Sequence, residues 1–217
     1  MPLSQRTNRW ITIAIIICAG EAIFSIPYHI TRFFRPTFLE VFELSATELG
    51  VAQGAYGIVA VGAYFFGGPL ADRFEARTLL STSMWITSLG GLYLATFPNM
   101  LGVTLVYGFF GLTTVLLFWA ALIKVTRSWG GADSPGLAYG LLDGGRGLLA
   151  ALLGSVAVFI FSLSFPLGYD AATLTDKRTV LTQVIYGYTT VTALTGLAVW
   201  FALKDLSDTS NSNHNAV

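Results

Sequence analysis

Three ionisable residues, Glu21, Asp143 and Arg146, stand inside runs that are otherwise apolar. At the centre of a bilayer each would cost about 2.5–3.5 kcal/mol on insertion scales, so each needs a partner or a task. A carboxylate set against a guanidinium can exchange a proton or an ion-pair partner, because burial and a nearby cation push its protonation in opposite directions. Asp143 and Arg146 are three residues apart, which puts them on one helical face together with Tyr139. Glu21 falls in steps of three or four with Cys18, Ser25, Tyr28 and Arg32, again one side of a helix. That stripe reads either as the lining of a solute cavity or as a polar seam between packed helices. Pro27 is placed to kink the helix beside it.

These residues need elements that hold them at similar depth. The 217 residues are 54% hydrophobic and 11% charged, with a mean hydropathy of +0.66. Soluble domains carry about 25% charged residues, so the composition predicts an all-α protein that crosses a membrane repeatedly. Each crossing needs about 20 apolar residues. Six spans are predicted near 10–31, 50–70, 78–97, 101–123, 137–161 and 180–203, within one bundle over 1–203. Glu21 interrupts the first run, which is also long for a cleavable leader. The segment 204–217, rich in Ser, Asn and Asp, reads as a polar tail. In span five, Gly136, Gly140 and Gly144, followed by Gly147, Ala151 and Ser155, predict a groove for close helix packing.

Charge narrows both function and orientation. Twelve basic and twelve acidic residues cancel, leaving no electrostatic footprint for nucleic acid. One cysteine, Cys18, and two distant histidines, His29 and His214, suggest no metal cluster and no cofactor. No H-E-x-x-H or G-x-S-x-G string is present, so a membrane enzyme has little support. With the N-terminus inside, Arg6, Arg9, Arg73, Arg77, Lys124, Arg127 and Lys204 fall on one side, and Arg32, Arg35, Lys177 and Arg178 on the other. Seven against four places both termini and the tail in the cytoplasm of a cell (inner) membrane.

The segment between spans two and three, Gly68-Pro69-Leu70-Ala71-Asp72-Arg73-Phe74-Glu75-Ala76-Arg77-Thr78-Leu79-Leu80, resembles the cytoplasmic loop motif of the major facilitator superfamily. Gly68, Leu70, Asp72, Arg73, Arg77 and Leu80 match it; Glu75 and Ala76 replace a glycine and an arginine of the pattern. On physical grounds Gly68 would end one helix. Asp72 would favour the N-terminus of the next. Arg73 and Arg77 would hold the loop in the cytoplasm. The resemblance implies that Asp72 helps latch two halves of a transporter. It also implies that the six spans form one half of such a bundle, an N-terminal half built as a 3+3 inverted repeat. Basic residues closing spans one and four on opposite sides fit that repeat: Arg32 with Arg35, and Lys124 with Arg127. Within the superfamily, Tyr28-His29-Ile30-Thr31-Arg32 and the stretch from Trp119 through Lys124 to Trp129 are similar to the organophosphate:phosphate antiporters. That likeness implies anion binding at Arg32, or at Arg35 in an alternate alignment.

The expected function is therefore secondary transport of a small anionic solute by alternating access. Arg32, Tyr28, Arg146 and Lys124 are the expected solute-binding residues. Glu21 and Asp143 are the expected proton or ion-pair couplers, and Gly68, Asp72, Arg73 and Arg77 the gating loop. The expected partners are lipid, the solute and a second six-helix half, supplied by a separate chain, a missing segment or a second copy. The rival expectation is a membrane assembly partner or an inert remnant of a longer transporter.

Overall fold

The computed structural model describes residues 3–131, 134–165 and 168–203, with side chains from residue 9 onward. The predicted tail at 204–217 and part of the joint before span five lie outside the described residues. All regular structure among the described residues is helical. Helix α1 (Leu3–Phe24) runs on through a π-helical stretch, Ser25–His29, into a last turn, Ile30–Phe33. A short α2 (Arg35–Val41) follows, then α3 (Ala46–Arg73) and α4 (Ala76–Leu94). Helix α5 (Met100–Gly111) likewise widens into a π-helical stretch, Leu112–Trp119, before its end at Ala120–Gly130. Helices α6 (Pro135–Leu163) and α7 (Leu174–Ala202) complete the order, with a single 3-10 turn, Tyr169–Ala171, between them.

Local chemistry sets several of these boundaries. Ser45 and Glu48 form a reciprocal capping box at the start of α3, and Thr173 and Asp176 form another at α7. The Asn99 side chain accepts from the Gly102 N–H at 3.0 Å and opens α5. The loop motif behaves otherwise than its sequence suggests. Gly68 does not end a helix: α3 continues through Pro69 to Arg73 and stops at Phe74 in extended backbone. Asp72 lies in the last turn of α3, and Glu75 occupies the N-cap position of α4 without a side-chain cap. A carboxylate at a helix C-terminus opposes the helix dipole. The Lys124 ammonium lies 4.0 Å from Asp72 Oδ1 and donates to the Ala71 carbonyl at 2.7 Å, which offsets that conflict.

Among the described residues five helices are long and apolar enough to cross a membrane: Arg9–Phe33, Ala46–Arg73, Met100–Gly130, Pro135–Leu163 and Leu174–Ala202. Over the predicted span 78–97, α4 has the length but not the hydropathy, because it carries six Ser and Thr residues as well as Arg77; several of those hydroxyls are bonded within the bundle. Ser83 donates to the Thr113 carbonyl at 2.8 Å, Thr87 to the Thr113 hydroxyl at 2.8 Å, and Ser88 to the Met84 carbonyl at 2.8 Å. The first of these bonds answers a specific need. Thr113 lies in the π-helical stretch of α5, where the regular backbone ladder is re-registered.

Helix α1 is the hub. It contacts α5, α6 and α7, while α4 packs along α7 and α3 along α5. The buried apolar residues divide into two clusters. One gathers Ile26, Phe34, Phe38, Tyr107 and Phe110; the other gathers Ile16, Ile23, Leu80, Phe118 and Leu142. Gly111 permits the close contact of α5 with α3, since a Cβ there would meet the Tyr56 carbonyl oxygen at 2.5 Å. The predicted glycine groove of α6 is not a packed seam. A Cβ at Gly136, Gly140, Gly144 or Gly147 would meet nothing within 4 Å. The close approaches of α6 come instead from Gly145, against Ile17, and Gly154, against the Phe33 ring. Helix α6 is thus mostly uncovered, with Leu148, Leu152, Val156 and Phe159 exposed.

Candidate functional site

Glu21, Asp143 and Arg146 converge on one cavity of about 700 Å³, lined from α1, α3, α5 and α6. Its polar wall comprises Glu21, Tyr28, His29 and Arg32 of α1 with Asp143 and Arg146 of α6. Tyr56 and Tyr64 of α3 and Trp119 of α5 supply most of the aromatic surface opposite.

The geometry starts at Glu21, whose side chain is only 8% exposed. One carboxylate oxygen, Oε1, lies 2.8 Å from His29 Nε2. The other, Oε2, lies 3.6 Å from Arg146 Nε, an ion pair that is longer than a hydrogen bond. Arg146 Nε donates to the Gly20 carbonyl at 2.9 Å. Its Nη1 lies 3.8 Å from Asp143 Oδ1, across the spacing predicted for that pair. The guanidinium sits over two rings, 5.4 Å from the centre of Phe24 and 5.5 Å from that of Trp119. Arg146 is therefore held along its Nε edge and by flanking rings. Asp143, with a side chain 73% exposed, holds the other edge only loosely. Gly20 makes the crossing possible, because a Cβ there would stand 2.9 Å from Arg146 Cδ.

The π-helical stretch brings His29 to Glu21. At 3.6 residues per turn, eight residues leave two side chains about 80° apart around a helix. Widening the turn over Ser25–His29, which contains Pro27, takes back part of that angle. It also divides the predicted polar stripe. Tyr28 and Arg32 face the cavity with Glu21, but Ser25 turns away. The Ser25 hydroxyl donates to the Ala22 carbonyl at 2.6 Å and meets Thr192 Oγ1 of α7 at 3.3 Å. Cys18 is exposed and lies outside the cavity lining.

The remaining predicted site residues fall in two places. The Arg32 guanidinium stands 5.6 Å from the centre of the Phe33 ring at the cavity wall, and Tyr28 packs edge-on against Tyr56 at 5.1 Å. Lys124 is not among the cavity residues; it ties the end of α5 to the end of α3. Gly68, Asp72, Arg73 and Arg77 lie in that same region, with Arg77 Nε donating to Glu75 Oε2 at 3.2 Å. Several contributors are not among the residues expected from the sequence: His29 and Gly20, and the rings of Phe24, Tyr56 and Tyr64. A histidine in the same span as a buried carboxylate, with a proline between them, was the available signal for His29. Nothing in the sequence distinguishes Gly20 from the chain's other 22 glycines.

At the opposite end from the loop motif, Lys177 donates to both Glu40 oxygens, at 2.8 and 3.0 Å. The Tyr169 hydroxyl donates to Glu40 Oε2 at 3.1 Å and also meets Thr37 Oγ1 at 3.0 Å. The hydrogen bond from Lys177, aided by that from Tyr169, holds the Glu40 carboxyl below its ordinary range.

Several membrane-length helices around a cavity that contains charged groups define a multi-pass membrane protein. The chain belongs to the Major Facilitator Superfamily, whose sequence profile matches residues 8–216. It is 30% identical to the inner membrane protein YqcE of Escherichia coli K12 over 207 residues, 95% of this chain and 46% of that protein. It is 26% identical to the inner membrane protein YihN of the same organism, over 91% of this chain and 44% of that protein. A Mycoplasma pneumoniae protein named as a homolog of MG294 is 24% identical over 98% of this chain and 47% of its own length. The chain thus spans about half the length of these curated relatives. No solved structure matches it significantly.

Proposed function

We propose that this chain forms the solute-binding wall of a secondary transporter that moves a small anionic solute by alternating access. One observation carries the reading: the Glu21–Arg146 pair lies midway along two crossing helices and lines a cavity of about 700 Å³. A buried pair in a sealed seam would have no such opening. Arg146 is the principal anion ligand, because its Nη edge is only loosely engaged and a guanidinium offers a planar fork to phosphate or carboxylate. Arg32 and Tyr28 assist from the cavity wall, and Glu21 and Asp143 exchange partners when the solute arrives. Gly68, Asp72, Arg73 and Arg77 form the gating loop. Lys124, lying against Ala71, serves that loop in place of the solute.

Helix α4 is the sixth crossing in this reading, at about 28 Å for 19 residues. Two features support a 3+3 repeat. The first and fourth crossings, α1 and α5, both carry π-helical stretches, and both present residues to the cavity. Corresponding interruptions in two repeats are the expected mark of a transporter site. The uncovered α3 and α6 faces, with Ile58 77% and Phe65 76% exposed, are suited to lipid and a second bundle. That bundle comes from a further segment, a separate chain or a second copy. Both termini are cytoplasmic on the distribution of basic residues. The likeness to organophosphate:phosphate antiporters makes phosphorylated solutes the first class to try.

Uptake into vesicles tests the proposal. With the second bundle present and insertion normal, Arg146→Ala and Glu21→Gln abolish uptake. Uptake at the parent rate in both would refute the site.

A further inference from the structure

Among the described residues three buried side-chain atoms lack a hydrogen-bond partner: His29 Nδ1, Ser81 Oγ and Tyr188 OH. Of these residues only His29 lines the cavity. Its ring is 3% exposed as a residue and is wedged between Phe33 and Tyr188, with ring centres at 5.4 and 5.6 Å. Nε2 faces Glu21 Oε1 at 2.8 Å, so with Glu21 ionised the Nε2 proton points into that bond and the lone pair stays on Nδ1. Nδ1 is thus the open position for a second proton. Glu21 and Tyr188 contact His29, and the other titratable or charged groups of the same cavity are Tyr28 and Arg32 on its own helix, Asp143 and Arg146 of α6, and Tyr56 and Tyr64 of α3. The nearest charge is Glu21, and Glu21 is shared, Oε1 with His29 and Oε2 with Arg146 at 3.6 Å.

We propose that His29 is a positioning residue that competes with Arg146 for Glu21 and so sets when Arg146 is free to hold an anion. This rests on the solute-binding role proposed above for Arg146. With His29 neutral, Glu21 balances Arg146, and the guanidinium stays along the Gly20 carbonyl. A proton arriving at Nδ1 makes the ring an imidazolium, and the Glu21–His29 bond becomes a charge-assisted pair. Glu21 is then balanced by His29, and the Arg146 charge is left for the solute. The step is a single proton transfer: a proton from solvent forms an Nδ1–H bond, no other covalent bond changes, and the local charge rises by one. By linkage, anion binding at Arg146 must favour protonation of His29 to the same degree.

The chain's histidine content makes the test direct. It has two histidines, His29 and His214, so His214→Gln leaves one imidazole for ring ¹⁵N NMR in lipid nanodiscs. The neutral ring should carry its proton on Nε2, which leaves Nδ1 as the nitrogen that gains one on acidification. Glu21→Gln, close to isosteric, removes the charge that faces Nε2 and should displace that step to more acidic pH. Arg146→Gln should move it the opposite way, and reads the same coupling should Glu21→Gln fail to insert. Inorganic phosphate should raise the midpoint in the parent and leave Arg146→Gln unmoved. A neutral ring protonated on Nδ1, or a midpoint unmoved by both substitutions, overturns the proposal. A midpoint that both substitutions move but phosphate does not supports the competition for Glu21 and overturns the anion-binding role of Arg146.

Discussion

His29 and Glu21 are eight residues apart on one helix, yet His29 Nε2 and Glu21 Oε1 are 2.8 Å apart. A regular helix would leave them about 80° apart around its axis. The π-helical stretch around Pro27 aligns them, and the same local widening sends Ser25 into the seam with α7. A departure from regular backbone thus separates the residues that face the cavity from those that hold the bundle.

Gly20 is the floor under Arg146. Gly20→Ala places a methyl 2.9 Å from Arg146 Cδ, against a side chain whose Nε is tied to the Gly20 carbonyl. The expected result is weaker solute binding with little loss of folding, because alanine suits a helix better than glycine by about 1 kcal/mol. Equilibrium binding and thermal unfolding, measured on the same preparation, check this; unaltered affinity would remove Gly20 from the site.

Ser83 answers a carbonyl in the π-helical stretch of α5. Ser83→Ala strips the Thr113 carbonyl of that hydroxyl at a position where both residues are buried. The expected loss is about 1–3 kcal/mol of stability. Denaturant unfolding in detergent would show it. Ser162→Ala, on an exposed serine near the end of α6, is the control and should change little.

The Glu40–Lys177 pair gives a signed pH effect. The folded-state carboxyl is held below its unfolded value, so its contribution is fully present above the unfolded carboxylate range. It fades as pH falls through that range and is gone below the depressed folded value. The melting temperature of the parent should therefore approach that of Glu40→Gln under acid and exceed it near neutrality. A constant difference across pH would exclude the pairing.

Lys124 tests the division between site and loop. Lys124→Ala frees the Ala71 carbonyl at the end of α3. Faster amide exchange in the last turn of α3, with solute affinity retained, is the expected outcome. A lowered affinity with unchanged exchange would return Lys124 to the solute site.

Composition and periodicity revealed the helical membrane architecture, and Glu21, Asp143 and Arg146 were visible because charge inside an apolar run has so few explanations. The loop motif marks the family, but Gly68 lies inside α3 and Asp72 in its last turn, not at the helix boundaries their residue types suggest. Helix propensity predicts a break at Gly68-Pro69, whereas packing of α3 along α5 carries the helix four residues further. The glycines of α6 misled in the same way. Their spacing predicts a seam, and what covers a small-residue face depends on neighbours that spacing does not name. His29 was hidden because a regular 3.6-residue period leaves it about 80° from Glu21, and the spacing does not announce the π-helical stretch that narrows that angle.

The central claim is that the charged face of α6 borders water and the adjoining face borders lipid. Replacing the single native cysteine, Cys18, gives a background for thiol labelling in native membranes. Gly147→Cys, in the cavity lining, should react with a charged, water-soluble maleimide. Leu148→Cys, one residue on and 63% exposed outside that lining, should not. Labelling of both positions alike, or of position 148 alone, would contradict the account.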